Sequence, residues 1–219
     1  MRAINTLVAA AALALVVPGC GGKDVGTQPE SPPAKPAFQD LTRPEHVLSN
    51  FEASYNKRYI EKYDELLDDN FTFVLDTGDV LNGLPASWDR ATEVLMSTRM
   101  FDRNYTGGHL VKNISMDLTI DHVTWVDVQP DQNQYPGETW LSTVVYYAFR
   151  AEALPDDTYE TSAGTRAQFT VRNAGTNDTP AWRLVELKDL GTGSTPSLSA
   201  SISSPDEFTL GRIKWELSQ

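Results

Sequence analysis

The apolar positions between Thr42 and Leu190 follow two different periods, and the change of period divides the chain. Val47, Leu48, Phe51 and Tyr55 recur at three- and four-residue spacing, which predicts a helix with one buried face. Thr42-Arg43-Pro44-Glu45 precedes it in the form of a capping box with proline in the first turn. Ile60, Tyr63, Leu66 and Leu67 predict a second, shorter helix. Asp68-Asp69-Asn70 closes it, and Phe71–Leu75 then reads as a strand. Gly78, Gly83 and Pro85 mark a loop, after which Ser87 is placed to cap a third helix with the apolar face Ala91, Val94, Leu95 and Phe101.

Beyond that helix the period falls to two. Ile114, Met116, Leu118 and Ile120 alternate with Ser115, Asp117 and Thr119, a half-buried strand expected to run on to Trp125. Pro130 to Gly137 predicts a turn-rich connection, and a long strand is expected from Trp140 to Glu152. Pro155-Asp156-Asp157 turns the chain again. Strands are expected at Thr165–Arg172 and Ala181–Leu190, with Asn173–Pro180 as a loop. Helices first and turn-linked antiparallel strands afterwards make an α+β pattern. A curved antiparallel sheet wrapped around the N-terminal helices buries both sets of apolar faces within a single domain, residues 42–190.

The flanks follow neither period. Leu7 to Val17 is unbroken apolar sequence after Arg2, the length of a secretory signal core and too short to cross a bilayer. It ends in Val17-Pro18-Gly19-Cys20, which holds the chain's single cysteine. This resembles the lipobox of bacterial lipoproteins. The resemblance implies a signal peptide over residues 1–19, removed before Cys20, and lipid on that cysteine as a membrane anchor. Two or more acyl chains anchor stably, at about 0.8 kcal/mol per buried CH₂. Gly21 rather than Asp after the cysteine implies a cell-envelope location at the outer membrane or cell surface. Residues 20–41, with Pro29, Pro32, Pro33 and Pro36, read as a tether. Residues 191–219 comprise a Ser/Thr-rich linker and an apolar end carrying Phe208, Leu210, Ile213, Trp215 and Leu217. So much apolar area is expected to dock, first on the parent domain.

Several short motifs carry a second resemblance. Ser54-Tyr55-Asn56-Lys57-Arg58, then Tyr63 and Leu66-Leu67, then Asp69-Asn70-Phe71-Thr72-Phe73, resemble the opening of the nuclear transport factor 2-like superfamily. Its members include ketosteroid-isomerase-like and SnoaL-like domains. Trp182-Arg183-Leu184-Val185 is similar to the family's last strand, while Tyr59 stands where an acidic residue is common. The resemblance implies a cystatin-like cone: a sheet curled around helices, open at one end. Enzymes of the superfamily place a general base and a hydrogen-bond donor there; binding members do not.

Charge narrows the partners. With 18 basic and 30 acidic side chains the chain carries a formal −12, and removing residues 1–19 takes only Arg2. Nucleic acid and anionic headgroups need clustered Lys and Arg, so neither is expected. Acylated Cys20 leaves no thiol for a disulfide or a metal site, and no cofactor or metal is expected. HExxH, GxSxG, phosphate-loop and EF-hand patterns are absent. Three Asn-x-Ser/Thr matches, at Asn70, Asn104 and Asn113, carry no weight in a lipobox-bearing chain.

The candidate catalytic groups are isolated. His46 falls in a helix's first turn and His109 follows Gly107-Gly108. His122 shares the phase of Ile114–Ile120 and points inward unless the strand bulges at Asp121. Glu186 shares the phase of Trp182 and Leu184, and as an alternative pairs with Arg150, Arg166 or Lys188 across the sheet. Tyr146 and Asp127 complete the set. Met116, Leu118, Phe169, Trp182 and Leu184 are the expected pocket lining, and the five Trp read as core and interface. Val144 with Val145, and Leu184 with Val185, put apolar residues on both strand phases. The outer face is therefore expected to meet a second copy, as a homodimer, or the C-terminal segment. The expectation is a membrane-anchored binding module for a small apolar ligand or a partner protein. The alternative is an isomerase-, cyclase- or dehydratase-like enzyme using His122, Glu186 or Tyr146. A purely structural module would instead fill the cone with its own side chains.

Overall fold

The strands form one eight-stranded sheet whose spine is β5 (Trp140–Ala153). The first half of β5, Trp140–Tyr146, pairs antiparallel with β7 (Arg166–Asn173). The second half pairs with β3 (Val111–Leu118) and, at Arg150–Ala153, with β6 (Asp157–Glu160). The long β5 thus joins two sets of partners and carries both halves of the curled sheet. Beyond β7 lie β8 (Trp182–Asp189), β1 (Leu67–Val74) and the short β2 (Ser87–Asp89), while β4 (Val126–Asp127) pairs with Leu141-Ser142. All pairings are antiparallel except β1 with β8, which is parallel.

This computed structural model describes residues 38–128, 137–155, 157–192 and 208–219, all within one unit, Pro36–Gln219. The segment expected as a signal peptide, Cys20 and most of the expected tether lie outside the described residues. So do residues 129–136, Asp156 and most of the Ser/Thr-rich run.

Helix α1 (Pro44–Lys57) and helix α2 (Ile60–Leu66) lie against the concave face. Phe51 meets Phe169 edge-on at 5.3 Å between ring centroids, and Tyr55 meets Phe149 at 5.7 Å. Val47, Leu48, Phe51, Tyr55 and Tyr63 are all wholly buried. The capping box does not form. Thr42 Oγ1 donates instead to Asp40 Oδ1 at 2.7 Å, and Arg43 is the N-cap without a side-chain bond. The joint after α1 ties the layers together. Asn56 exchanges two hydrogen bonds with the Met116 backbone of β3, at 2.7 and 2.8 Å. Arg58, left-handed at φ 56°, donates to the carbonyls of Met100, Phe101, Val111 and Lys112.

Where a loop was expected, Thr77–Leu81 forms α3, its N-cap Asp76 accepting from the Gly78 N–H at 2.7 Å. Helix α4 is Arg90–Phe101, and its cap is Asp89 rather than Ser87, accepting from Thr92 at 2.9 Å. Its buried face also differs from expectation. Leu95 is half exposed and Ala91 exposed, whereas Glu93, Met96, Ser97, Met100 and Phe101 are buried. The apolar C-terminal segment is helix α5 (Leu210–Leu217), and its Leu210, Ile213 and Leu217 belong to the core.

Candidate functional site

Helix α5 packs against α4 and reaches the sheet at its start through Leu210 and Gly211, and one side chain on it is unexpected. Lys214 occupies the same stripe as Leu210 and Leu217, and is 1% exposed. Its ammonium pairs with the carboxylate of Glu93, which is likewise wholly buried. Lys214 Nζ also donates to Tyr55 Oη at 2.7 Å and lies 3.4 Å from Tyr63 Oη. Three rings surround it: the centroids of Tyr55, Tyr63 and Phe73 are 5.4, 5.3 and 5.6 Å away. Trp88, stacked on Phe73 at 4.5 Å, donates its indole N–H to Glu93 Oε2 at 2.7 Å. Tyr63 donates to Glu93 Oε1, and Ser97 Oγ reaches the same oxygen at 3.3 Å.

The electrostatics keep Lys214 charged and both tyrosines protonated. Burial pulls Lys214 down, but the Glu93 carboxylate and the Tyr55 hydroxyl outweigh it and hold the ammonium above the ordinary lysine range. Burial lifts both tyrosines above their usual range; the Glu93 charge pushes Tyr63 further, while the Lys214 charge opposes the rise of Tyr55. A lysine held as ammonium supplies neither a nucleophile nor a base at neutral pH.

A second polar group anchors the start of α5. Asp189 accepts from Tyr147 Oη at 2.8 Å through one carboxylate oxygen, and from the Gly211 N–H at 2.9 Å through the other. Tyr147 Oη accepts in turn from the Leu210 N–H at 3.0 Å. Thr209 caps the helix, accepting from Arg212, and donates to Asp79 of α3 at 2.5 Å. Burial pushes Asp189 up to about 6 against the opposing pull of the Gly211 N–H, and pushes Asp79 up against the Thr209 hydroxyl. At the far end, Arg99 of α4 donates to the Ser218 carbonyl at 2.6 Å.

The structure does not bring the expected catalytic groups together. Strand β3 ends at Leu118, before Trp125, so His122 sits exposed in a turn. Tyr146 is on the convex face at 54% exposure, with the Arg166 guanidinium 6.0 Å from its ring; the inward residue is its neighbour Tyr147. On β8 the register slips. Leu184 pairs with Val171 and Glu186 with Thr170, leaving Val185 as the extra residue. The slip carries Leu187 and Asp189 inward and Glu186 out, half-buried. Thr170 also faces Ser142, four residues along β5 from Tyr146, so Glu186 and Tyr146 are offset by about 13 Å along the strands and by two strand spacings across them, about 16 Å in all. Arg150 pairs with Glu152 and Glu160 rather than with Glu186. Asp127 is exposed, and His46 Nδ1 contacts the Asp40 carbonyl at 2.6 Å.

The pocket candidates Met116, Leu118, Phe169, Trp182 and Leu184 are all buried in the core. Among the described residues, no group of three or more His, Cys, Asp or Glu could hold a metal ion. Sequence reading missed Glu93, Lys214, Tyr147 and Asp189. Glu93 carried a signal: with Met96, Ser97 and Met100 it makes the i, i+3, i+4, i+7 stripe of α4.

No family model matches the chain, and no curated protein matches it. Solved structures do resemble it. A conserved protein from Planctomyces limnophilus is 13% identical, with 66% of this chain and 89% of that one covered at a TM-score of 0.46. An NTF2-like protein of unknown function in nutrient uptake from Rhodospirillum rubrum is 14% identical, covering 66% and 94%, at 0.42. A nuclear transport factor 2-like superfamily protein from Salmonella enterica is 11% identical, covering 70% and 91%, at 0.43. The likeness concerns chain path and carries no activity with it; the α+β cone itself rests on the strand register and the packing of α1 on the concave face.

Proposed function

We propose that the chain is a lipid-anchored lipoprotein of the cell envelope whose cone domain binds an apolar ligand or an apolar segment of a partner, without catalysing a reaction. The observation that supports this reading is α5. Leu210, Ile213 and Leu217 belong to the buried core, so α5 is the chain's own occupant of the cone, and an apolar ligand or partner segment would take its place. The polar groups that meet α5 are hydrogen-bonded to it or to one another, and Lys214 is held as an ammonium. His122, Tyr146 and Glu186, the groups an enzyme reading relied on, share no position for a substrate. The Val17–Cys20 motif supports the anchor, and the acidic balance directs the partner away from nucleic acid.

The test is to extract the full chain from membranes in mild detergent, then analyse its N-terminal peptide and its co-eluting compounds by mass spectrometry. An acylated Cys20 with an apolar compound or protein carried through purification is the expected result. An unmodified Cys20 thiol overturns the anchor. Turnover of a co-purified compound that is lost in Glu186→Gln or His122→Ala overturns the binding reading.

A further inference from the structure

Each residue around the Lys214 ammonium comes from an element other than α5. Tyr55 belongs to α1, Tyr63 to α2, Phe73 to β1 and Glu93 to α4. Helix α5 contributes only the cation, so the receptor is complete in the part of the chain before Leu190. Its geometry fits one chemical class. An alkylammonium has three N–H donors, and three acceptors converge here: Glu93 Oε1, Tyr55 Oη and Tyr63 Oη. Ring faces fill the space around them, which favours a cation over a neutral group. The second Glu93 oxygen is held by Trp88, which fixes the carboxylate without a second cation.

We infer that the Tyr55–Tyr63–Phe73–Glu93 cage is a primary-ammonium site, held in cis by Lys214 and open to the ammonium group of an alkylamine ligand when α5 gives way. The site deepens the binding reading above and rests on it, adding a charged head to the apolar ligand expected there. A quaternary ammonium lacks the N–H donors, and an alcohol lacks the charge, so both are excluded as ligands. A tethered occupant competes with a free one as an intramolecular ligand, so the native chain binds amines more weakly than a chain without the lysine.

The experiment uses the full chain in detergent, with n-propylammonium chloride as probe and 1-propanol and tetramethylammonium chloride as controls. Calorimetric titration of Lys214→Ala is expected to show saturable binding of propylammonium alone, at least about tenfold tighter than in the native chain. Adding Glu93→Gln to Lys214→Ala is expected to weaken that binding by at least about tenfold. In the native chain, hydrogen exchange at the α5 amides is expected to accelerate with rising propylammonium while β7 amides stay protected. A folded Lys214→Ala that binds no propylammonium, or binds 1-propanol equally, overturns the inference. If Lys214→Ala does not fold, the native chain decides: α5 exchange unchanged by propylammonium overturns it. A chain that carries a co-purified apolar compound yet fails these tests keeps its binding function and loses the ammonium site.

Discussion

Lys214 of α5 and Glu93 of α4 form an ion pair with both side chains wholly buried, 121 residues apart in sequence. Burying two charges is costly, and a pair of this kind is sustained by the other hydrogen bonds around it. Those bonds are unequally distributed. Glu93 also accepts from Tyr63, Trp88 and Ser97, whereas Lys214 has otherwise only the two tyrosine hydroxyls.

Single substitutions should therefore be unequal. Glu93→Leu leaves a buried ammonium without its counter-charge and should cost about 3–5 kcal/mol. Lys214→Met leaves a carboxylate with three donors and should cost less, about 1–3 kcal/mol. The double variant should cost less than the two summed. Urea unfolding of all three measures this, and equal single costs refute the account.

Asp189 gives the start of α5 a pH dependence of defined sign. Its folded pKa, about 6, lies above the ordinary carboxylate value of 3.8, so the folded chain binds the proton more tightly. That contribution is fully present below about pH 4 and is lost as pH rises through about 6, a swing of about 3 kcal/mol. The lowered carboxylates Asp40, Asp89 and Glu152 act in the opposite direction, so the total is not diagnostic. The difference between native chain and Asp189→Asn is. Relative to the variant, the native chain should gain unfolding free energy from pH 7 to pH 4. A flat difference refutes the assignment.

These groups show where the sequence was legible. The alternation of Met116 and Leu118 reported the inward face of β3 because the strand's register shift lies upstream, between Val111 and Asn113, and pairing is regular from there on. The same reasoning chose Glu186 on β8, and a single extra residue at Val185 reversed the phase from there onward. On β5 the run Val144-Val145-Tyr146-Tyr147 is apolar on both phases, so periodicity could not choose between the tyrosines. The cone's polar interior was hidden for a different reason. A lysine or glutamate on an amphipathic helix ordinarily belongs to the solvated face, and only the meeting of α4 with α5 makes burial of both tolerable.

Gly211 tests how closely α5 is seated. A Cβ there would lie 3.0 Å from Phe73 Cε1 and 3.2 Å from Leu75 Cγ, tighter than packed side chains tolerate without moving. Gly211→Ala recovers some helix propensity, yet the overpacking should dominate, with a net loss of about 1 kcal/mol. The loss should be local. Hydrogen exchange at residues 210–217 should accelerate while β7 amides keep their protection, and a uniform change across the domain refutes it.

The convex face yields the last prediction. Helix α5 docks on the concave side, so it does not cover the apolar residues outside. Val126, Val144 and Tyr146 remain 58%, 48% and 54% exposed. Val144 and Tyr146 alternate outward along β5, and Val126 shares their face through the pairing of β4 with Ser142. Such a face is covered most simply by its own copy, since two-fold association sets identical patches against each other. The soluble chain lacking Cys20 should therefore be a dimer by light scattering. Val144→Lys with Tyr146→Glu should make it a monomer, and because both side chains already face solvent, fold stability should shift by no more than about 0.5 kcal/mol each. A native chain that stays monomeric over a wide concentration range refutes the dimer. A variant that loses its fold with its partner shows instead that these side chains support the sheet itself.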